Sequence, residues 1–402
     1  MQPEDLWWAA RRIFLEDSGY RLRPKFHPDY EPDPNAFWYT ERETHIRPTI
    51  MDVTRISDGR LVMLKAVSTR VHPHEVEIAC LFSSPPLSED PRNHCIPILE
   101  VLQDPDDADL KIIVMPRLIR MAQPLFETVG EVVDAFRQIF EGIEFMHENF
   151  VAHRDCSMGN IVQDPTLLYP AGFHPIYTTQ DPTNSHRAPV VTRTKCWPRY
   201  FVIDFGLSRR YDPSEGPPAE LTIRGLDQSP PEHNKPPWVC NPFPTDIYFL
   251  GNTLKHKFLF SKWAGKQWVP LVSLIPPVCA DLWLIMVLQP SLRFLEPLIN
   301  DMIQEDPAMR PTIGEVIERF NALCNPLSQW HLRRPGQTYS FHWYLLLMQI
   351  TRTLRRVPPV PPYRPRLNLI PLSQSLRDFY TQTPVVPIEK EAEPSDVTLD
   401  DL

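Results

Sequence analysis

The apolar pattern reads as a β-rich stretch followed by helical ones. Ile50 to Ile56 and Leu61 to Val67 are β-rich runs on either side of Ser57-Asp58-Gly59-Arg60, which predicts a hairpin around an Asp-Gly turn. Pro97 to Leu102 and Leu110 to Met115 predict two more strands, separated by an acidic turn at Asp104 to Asp109. Between the pairs, His72 to Phe82 reads as a helix on which Glu75 shares a face with Ile78, Ala79 and Phe82. Upstream, residues 3 to 17 predict a helix with Leu6, Trp7, Ala10, Ile13 and Phe14 at helical spacing, docked on a neighbouring lobe. From Phe126 to Asn149 the period is helical, and Val132, Val133, Phe136, Ile139, Phe140, Ile143 and Phe145 make a core stripe.

Composition narrows the class. At 402 residues, with 42% hydrophobic and 23% charged content, the chain can bury a sizeable core in two lobes with appendages. A net charge of -9 gives no general basic face, so nucleic acid is not an expected partner. The seven cysteines include no C-x-x-C pair, which argues against a zinc site and a disulfide scaffold and for a reducing compartment. No signal peptide is visible, and the apolar runs Leu282 to Leu288 and Phe341 to Ile350 are too short for a membrane span. The expected location is cytoplasmic, with nuclear placement equally compatible. The 47 prolines concentrate in residues 28–48, 165–198, 213–244 and 358–371, which are expected to be loops or extended segments.

Candidate chemistry lies in three places. Lys65 sits between apolar neighbours in a strand, where an ammonium is costly to bury unless an anion meets it; Glu75 is the expected partner, with Glu77 as second choice. Val151 to Val162 is a polar cluster framed by apolar residues, His153-Arg154-Asp155-Cys156-Ser157-Met158-Gly159-Asn160. Tyr200-Phe201-Val202-Ile203-Asp204-Phe205-Gly206 is a strand ending in a carboxylate and then a glycine.

These stretches resemble the protein kinase superfamily. Val62-Met63-Leu64-Lys65 is similar to its V-A-I-K strand, His153 to Asn160 to its H-R-D-x-x-x-x-N loop and Asp204-Phe205-Gly206 to its D-F-G. Ser229-Pro230-Pro231-Glu232 resembles A-P-E, Asp246 to Gly251 the D-x-x-x-x-G that begins a buried helix, and Arg310 the arginine that pairs with the A-P-E glutamate. The resemblance covers residues 46–325 and keeps the family's order.

The resemblance implies an α+β, two-lobed protein kinase-like fold, with a small β-rich N-lobe carrying one helix and a larger, mainly helical C-lobe. The implied division is an N-terminal extension (1–45), N-lobe (46–118), C-lobe (119–325, with an insertion at 163–199) and a C-terminal helix with a proline-rich, acidic tail (326–402). The implied activity is ATP- and Mg²⁺-dependent transfer of a γ-phosphoryl group to a serine or threonine hydroxyl of a protein substrate. Lys65, held by Glu75, would bind the α- and β-phosphates, Asp204 and Asn160 would hold Mg²⁺, and Asp155 would accept the hydroxyl proton. Ile50 and Val162 stand where the family has apolar walls for ATP, Met115 its gatekeeper and Leu118 its adenine-facing hinge. His153, Arg154, Phe205, Gly206, Glu232, Asp246 and Arg310 take structural roles.

Three positions depart from the family's pattern. The expected phosphate lid, Glu43 to Ile50, has no glycine, leaving His45 and Arg47 as charged candidates in its place. Cys156 to Gly159 lacks the basic residue that usually follows the catalytic aspartate, and Pro230 replaces the A-P-E alanine, while Gly225 to Gln228 carries no threonine. These departures keep a second class open, a pseudokinase or scaffold with weak or no phosphotransfer. A small-molecule kinase is a third, disfavoured by the A-P-E-like segment. Residues 163–199 read as a surface excursion, Thr222 as a phosphorylation site that would recruit Arg154 and Arg209, and residues 341–356 as a helix packed on the lobe. Pro358 to Pro365 favours polyproline II, as a linker or an adaptor ligand, and Glu389 to Asp401 is expected to be disordered.

Overall fold

The computed structural model describes residues 3–31, 47–174, 176–183, 185–234, 236, 238–259, 290–336 and 343–361. Residues 43–46 of the expected lid, Leu282 to Leu288 and the acidic end lie outside them.

The N-terminal stretch breaks at Arg11 into two helices, α1 (Pro3–Ala10) and α2 (Arg12–Asp17), and continues into strand β1 (Tyr20–Arg21). The expected apolar stripe is buried only in part: Trp7 and Phe14 pack against the core of the sheet and Leu6 and Ile13 are exposed, while Asp5, Trp8, Arg11 and Leu15 face inward. Polar partners elsewhere explain the difference. Asp5 meets the Lys25 ammonium at 2.9 Å, and the Arg11 guanidinium forks onto Asp104, with Nη2 to Oδ1 at 3.0 Å. Asp104, at the start of the expected acidic turn, is therefore buried.

Strands β2 (Ile50–Arg55) and β3 (Leu61–Ser68) form the predicted hairpin, and Gly59 supplies the positive φ (+69°) of its turn. Helix α3 (Glu75–Ser83) follows, then β4 (Glu100–Gln103) and β5 (Leu110–Pro116). The result is a five-stranded sheet in the order β1-β2-β3-β5-β4, antiparallel throughout. Side chains alternate across a strand, so Val62, Leu64 and Ala66 enter one face with Trp8, Leu15, Met51, Val53, Ile112 and Val114. Val67 and Ile113 enter the other, against Val76, Ala79 and Phe82 of α3. The same parity puts Lys65, opposite Ile113 and Ile50 in register, on the α3 face.

Strand β6 (Ile119–Arg120) leads to helix α4 (Val129–Glu148), capped by Thr128 Oγ1, which accepts from Glu131 N at 3.2 Å. Nearly every turn of α4 is buried, and Phe140 meets Phe320 edge-on at 5.2 Å between centroids. Next come β7 (Val151–Ala152), β8 (Ile161–Gln163), a short helix α5 (Arg193–Cys196) and β9 (Tyr200–Val202), which pairs with β8. Residues 94–96 are stitched to β9, with Val202 N donating to His94 O at 2.7 Å and Ile96 N to Val202 O at 3.0 Å. The strand that ends near Asp204 is thus tied by hydrogen bonds to the chain leaving α3.

Residues 163–199 are more than a surface excursion. Leu168, Tyr169 and Ala188 bury against Ile119, and the buried Arg193 donates to the carbonyls of Met121 (2.8 Å) and Pro124 (2.7 Å). Helix α6 (Pro242–Leu254) and helices Glu296–Met302 and Ile313–Cys324 join α4 in one core. The chain then returns to the start of α4: Val129 N donates to Arg334 O at 2.9 Å, and Gly130 lies so close to Pro359 O that a side chain there would collide. The C-terminal helix, Trp343–Leu354, packs through Arg352, which reaches Glu127 at 3.1 Å and Thr192 at 3.0 Å. The molecule is of mixed α and β type, and among the described residues no helix is long and apolar enough to cross a membrane.

Candidate active site

Three segments distant in sequence meet at Lys65. Its ammonium donates to Glu75 Oε1 and to Asp204 Oδ1, the latter at 2.7 Å. Burial alone would lower the lysine's pKa, but the charges of Glu75 and Asp204 outweigh it and raise it. On Asp204, burial pushes up and Lys65 and Arg47 pull down, and the carboxyl ends at about 2. Arg47 supplies the second contact, Nη1 to Asp204 Oδ2 at 3.0 Å. Glu75 Oε2 lies buried without a hydrogen-bond partner, facing Gly206, where a side chain would press on both Glu75 and His72. His72 Nδ1 in turn lies 2.9 Å from Gly206 O.

Asp246 shapes the loop from His153 to Asn160. Fully buried at the start of α6, its Oδ2 accepts from His153 N (2.8 Å) and its Oδ1 from Arg154 N (2.7 Å), while His147 Nε2 stands 3.0 Å away. Drawing two successive amides onto one carboxylate turns Arg154 to φ +66°, a conformation that side chains disfavour. Asp204 also has positive φ, at +70°. His153 is bonded on both sides: Asp155 N donates to Nδ1 at 3.2 Å, which makes Nε2 the protonated nitrogen facing Ile203 O at 3.1 Å. Phe205 is fully buried, 5.8 Å from the His153 ring and 6.3 Å from Phe82 of α3. Cys156 is buried against Asp246, and burial pushes its thiol well above the usual range.

Asp155 is held from two directions. Asn160 Nδ2 donates to its Oδ2 at 2.9 Å, and Leu226 N donates to its Oδ1 at 2.8 Å. Two glycines make that second contact possible. A side chain on Gly225 would run into the Asp155 carboxylate, and one on Gly159 would meet the Leu226 side chain. Burial pushes the Asp155 pKa up, the Leu226 amide and Asn160 pull it down, and it ends above the usual carboxylate range.

Asn160 O accepts from Ile203 N at 3.0 Å, which fixes Asn160 beside Asp204. With Asn160 Nδ2 spent on Asp155, its amide oxygen and the Asp204 carboxylate are the donors that a hard cation prefers. Among the described residues no group of three or more histidines, cysteines and carboxylates gathers, but Mg²⁺ completes its shell with waters and substrate phosphates, so the pair fits. The expected apolar walls lie around this centre. Met115 pairs with Met63 on the Lys65 face, Leu118 and Val162 join one apolar cluster with Met115 at its edge, and Ile50 stands opposite Lys65. Leu118 O already accepts from the neighbouring Arg117, at 2.8 Å.

Glu232 and Arg310 pair as the sequence implies, both guanidinium Nη atoms donating to the two carboxylate oxygens at 2.7 Å. Burial raises the Glu232 pKa and Arg310 more than offsets it, leaving it below the usual range. Thr222 lines a small cavity with Arg154, which is paired with Glu220 at 2.8 Å; Arg209 is turned away to His74.

No family model matches this chain, and no curated protein matches it. Residue type and spacing do not reveal the backbone amide of Leu226, the His72 ring or the Trp8 indole, which donates to Pro48 O at 2.8 Å. A backbone donor has no residue-type signal, and the other two act through partners far along the chain.

Proposed function

We propose that the chain is a protein kinase-like phosphotransferase with a two-lobed architecture, in which the five-stranded sheet and α3 face a mainly helical lobe across Lys65. The observation that carries the reading is Lys65 bridging Glu75 and Asp204 across 139 residues of sequence, beside Asp155 and Asn160. A buried strand lysine needs one anion; the second carboxylate fits a phosphate-binding centre, in which the ammonium is held in place before the nucleotide arrives.

In this reading Lys65 holds the α- and β-phosphates of ATP, and Glu75 keeps the ammonium from turning toward Asp204 alone. Asp204 and the Asn160 amide oxygen hold Mg²⁺, which when bound neutralises charge on the phosphates. Asp155 orients the substrate hydroxyl and takes its proton, and its raised pKa makes it a better base than an ordinary aspartate. Asn160 and the Leu226 amide fix which oxygen lone pair is presented. The substrate is a protein with a serine or threonine hydroxyl.

A second reading, a pseudokinase with weak or no phosphotransfer, is favoured by one observation: all four oxygens of Asp155 and Asp204 are contacted from within the chain. A phosphotransfer assay on generic protein substrates, comparing wild type with Asp155→Asn and Asp204→Asn, decides between them. Signal in wild type that both substitutions abolish supports the enzyme; equal signals in all three reject it.

A further inference from the structure

Arg47 has a placement that the phosphotransferase reading does not use. Its guanidinium sits on Asp204 Oδ2 at 3.0 Å, while Lys65 holds Oδ1 at 2.7 Å, so both oxygens of the carboxylate are covered by cations of the chain itself. The backbone under Arg47 is pinned. The Trp8 indole donates to Pro48 O at 2.8 Å, and Ala66 N in β3 donates to Thr49 O at 2.8 Å. The indole is buried, whereas the Arg47 side chain is 49% exposed. A long side chain on a fixed base, half in water, can change partners without moving the main chain.

Charge decides what it does. Lys65 and Arg47 balance Glu75 and Asp204, so a divalent cation at Asp204 meets two positive neighbours and must displace one of them. Lys65 is clamped by Glu75 as well, whereas among the described residues the Arg47 side chain bonds to Asp204. We infer that Arg47 is a tethered counter-ion of Asp204, positioned by Trp8, which competes with a divalent cation for that carboxylate and moves onto the phosphates of a bound nucleoside triphosphate. A guanidinium fork matches phosphate oxygens, so a lid lacking glycine amides keeps a cation for the same anion. The transfer onto phosphate rests on the nucleotide reading above; the competition at Asp204 does not.

The test uses the full chain and two ligands measured separately. Mn²⁺ alone is titrated and followed by electron paramagnetic resonance, and ATP is titrated with EDTA present by calorimetry. Arg47→Ala is expected to bind Mn²⁺ about tenfold more tightly and metal-free ATP about tenfold more weakly. Arg47→Lys, which keeps the charge, should restore most of both. Trp8→Phe leaves a smaller buried ring without the N–H and should shift both in the Arg47→Ala direction, by less. A purely structural role would weaken both ligands together. Unchanged or weaker Mn²⁺ binding in a folded Arg47→Ala protein overturns the inference. If no form binds ATP while Arg47→Ala still gains Mn²⁺ affinity, the nucleotide reading has failed, and the transfer onto phosphate is overturned with it.

Discussion

The backbone amide of Leu226 donates to Asp155 Oδ1 at 2.8 Å, across 71 residues of sequence. The contact ties the segment before Glu232 to the loop that carries the proposed base. It exists because Gly225 and Gly159 leave room where side chains would collide.

Gly225→Ala tests that relationship. The added methyl must push the segment off Asp155, costing about 1–3 kcal/mol in chemical denaturation. Because the Leu226 amide lowers the Asp155 pKa, its loss should move the acid limb of the phosphotransfer pH profile upward. An unchanged profile would show that the amide does not tune the carboxylate.

Lys65→Met should destabilise the fold by about 3–5 kcal/mol, because it leaves the buried Glu75 carboxylate without the Lys65 cation and Asp204 with Arg47 in its place. The pH dependence follows from Asp204. Its folded pKa, about 2, lies below the unfolded value, so its pairing stabilises the fold above the unfolded pKa and that stability is lost as pH falls toward 2. Lys65 is the largest of the lowering influences, so in the variant the Asp204 pKa climbs and protonation relieves the strain. The stability gap to wild type, read from urea unfolding, should therefore narrow as pH falls from about 5 toward 3. A gap that widens contradicts the assignment.

Arg310→Ala removes a guanidinium that makes two 2.7 Å contacts with Glu232 and a 2.9 Å bond from Nε to Gln304 O. The stranded carboxylate should cost about 3–5 kcal/mol. Adding Glu232→Gln should recover part of the loss in denaturant melts, since an amide carries no uncompensated charge.

Asp246→Ala leaves the buried amides of His153 and Arg154 without their acceptor, at roughly 1–3 kcal/mol each. Arg154 would lose the reason for its positive φ, so the loop should relax and amide exchange of residues 153–156 should accelerate, measured by hydrogen–deuterium exchange. Exchange rates equal to wild type would count against Asp246 as the organiser of this loop.

Local pattern made much of the scaffold legible. The β-rich runs on either side of the Asp-Gly turn define the β2–β3 hairpin, since strand propensity and a positive φ at Gly59 are short-range properties. Helical period also put Glu75 on the apolar face of its helix, which made it the expected partner of Lys65. The stripe on residues 3 to 17 misled for an equally local reason. Counting apolar residues favours Leu6 and Ile13, but Asp5 and Arg11 are buried because Lys25 and Asp104 neutralise them from elsewhere in the chain.

By itself, then, the sequence determined the strands, the core helices and which side chains could carry chemistry, because periodicity and residue type act over a few positions. Only the tertiary structure decided what each carboxylate faces. Asp204 gains Arg47, Asp155 gains a main-chain amide, and residues 163–199 gain a buried anchor in Arg193. Those outcomes depend on charge and hydrogen bonding between segments brought together by burial, and no local pattern encodes them.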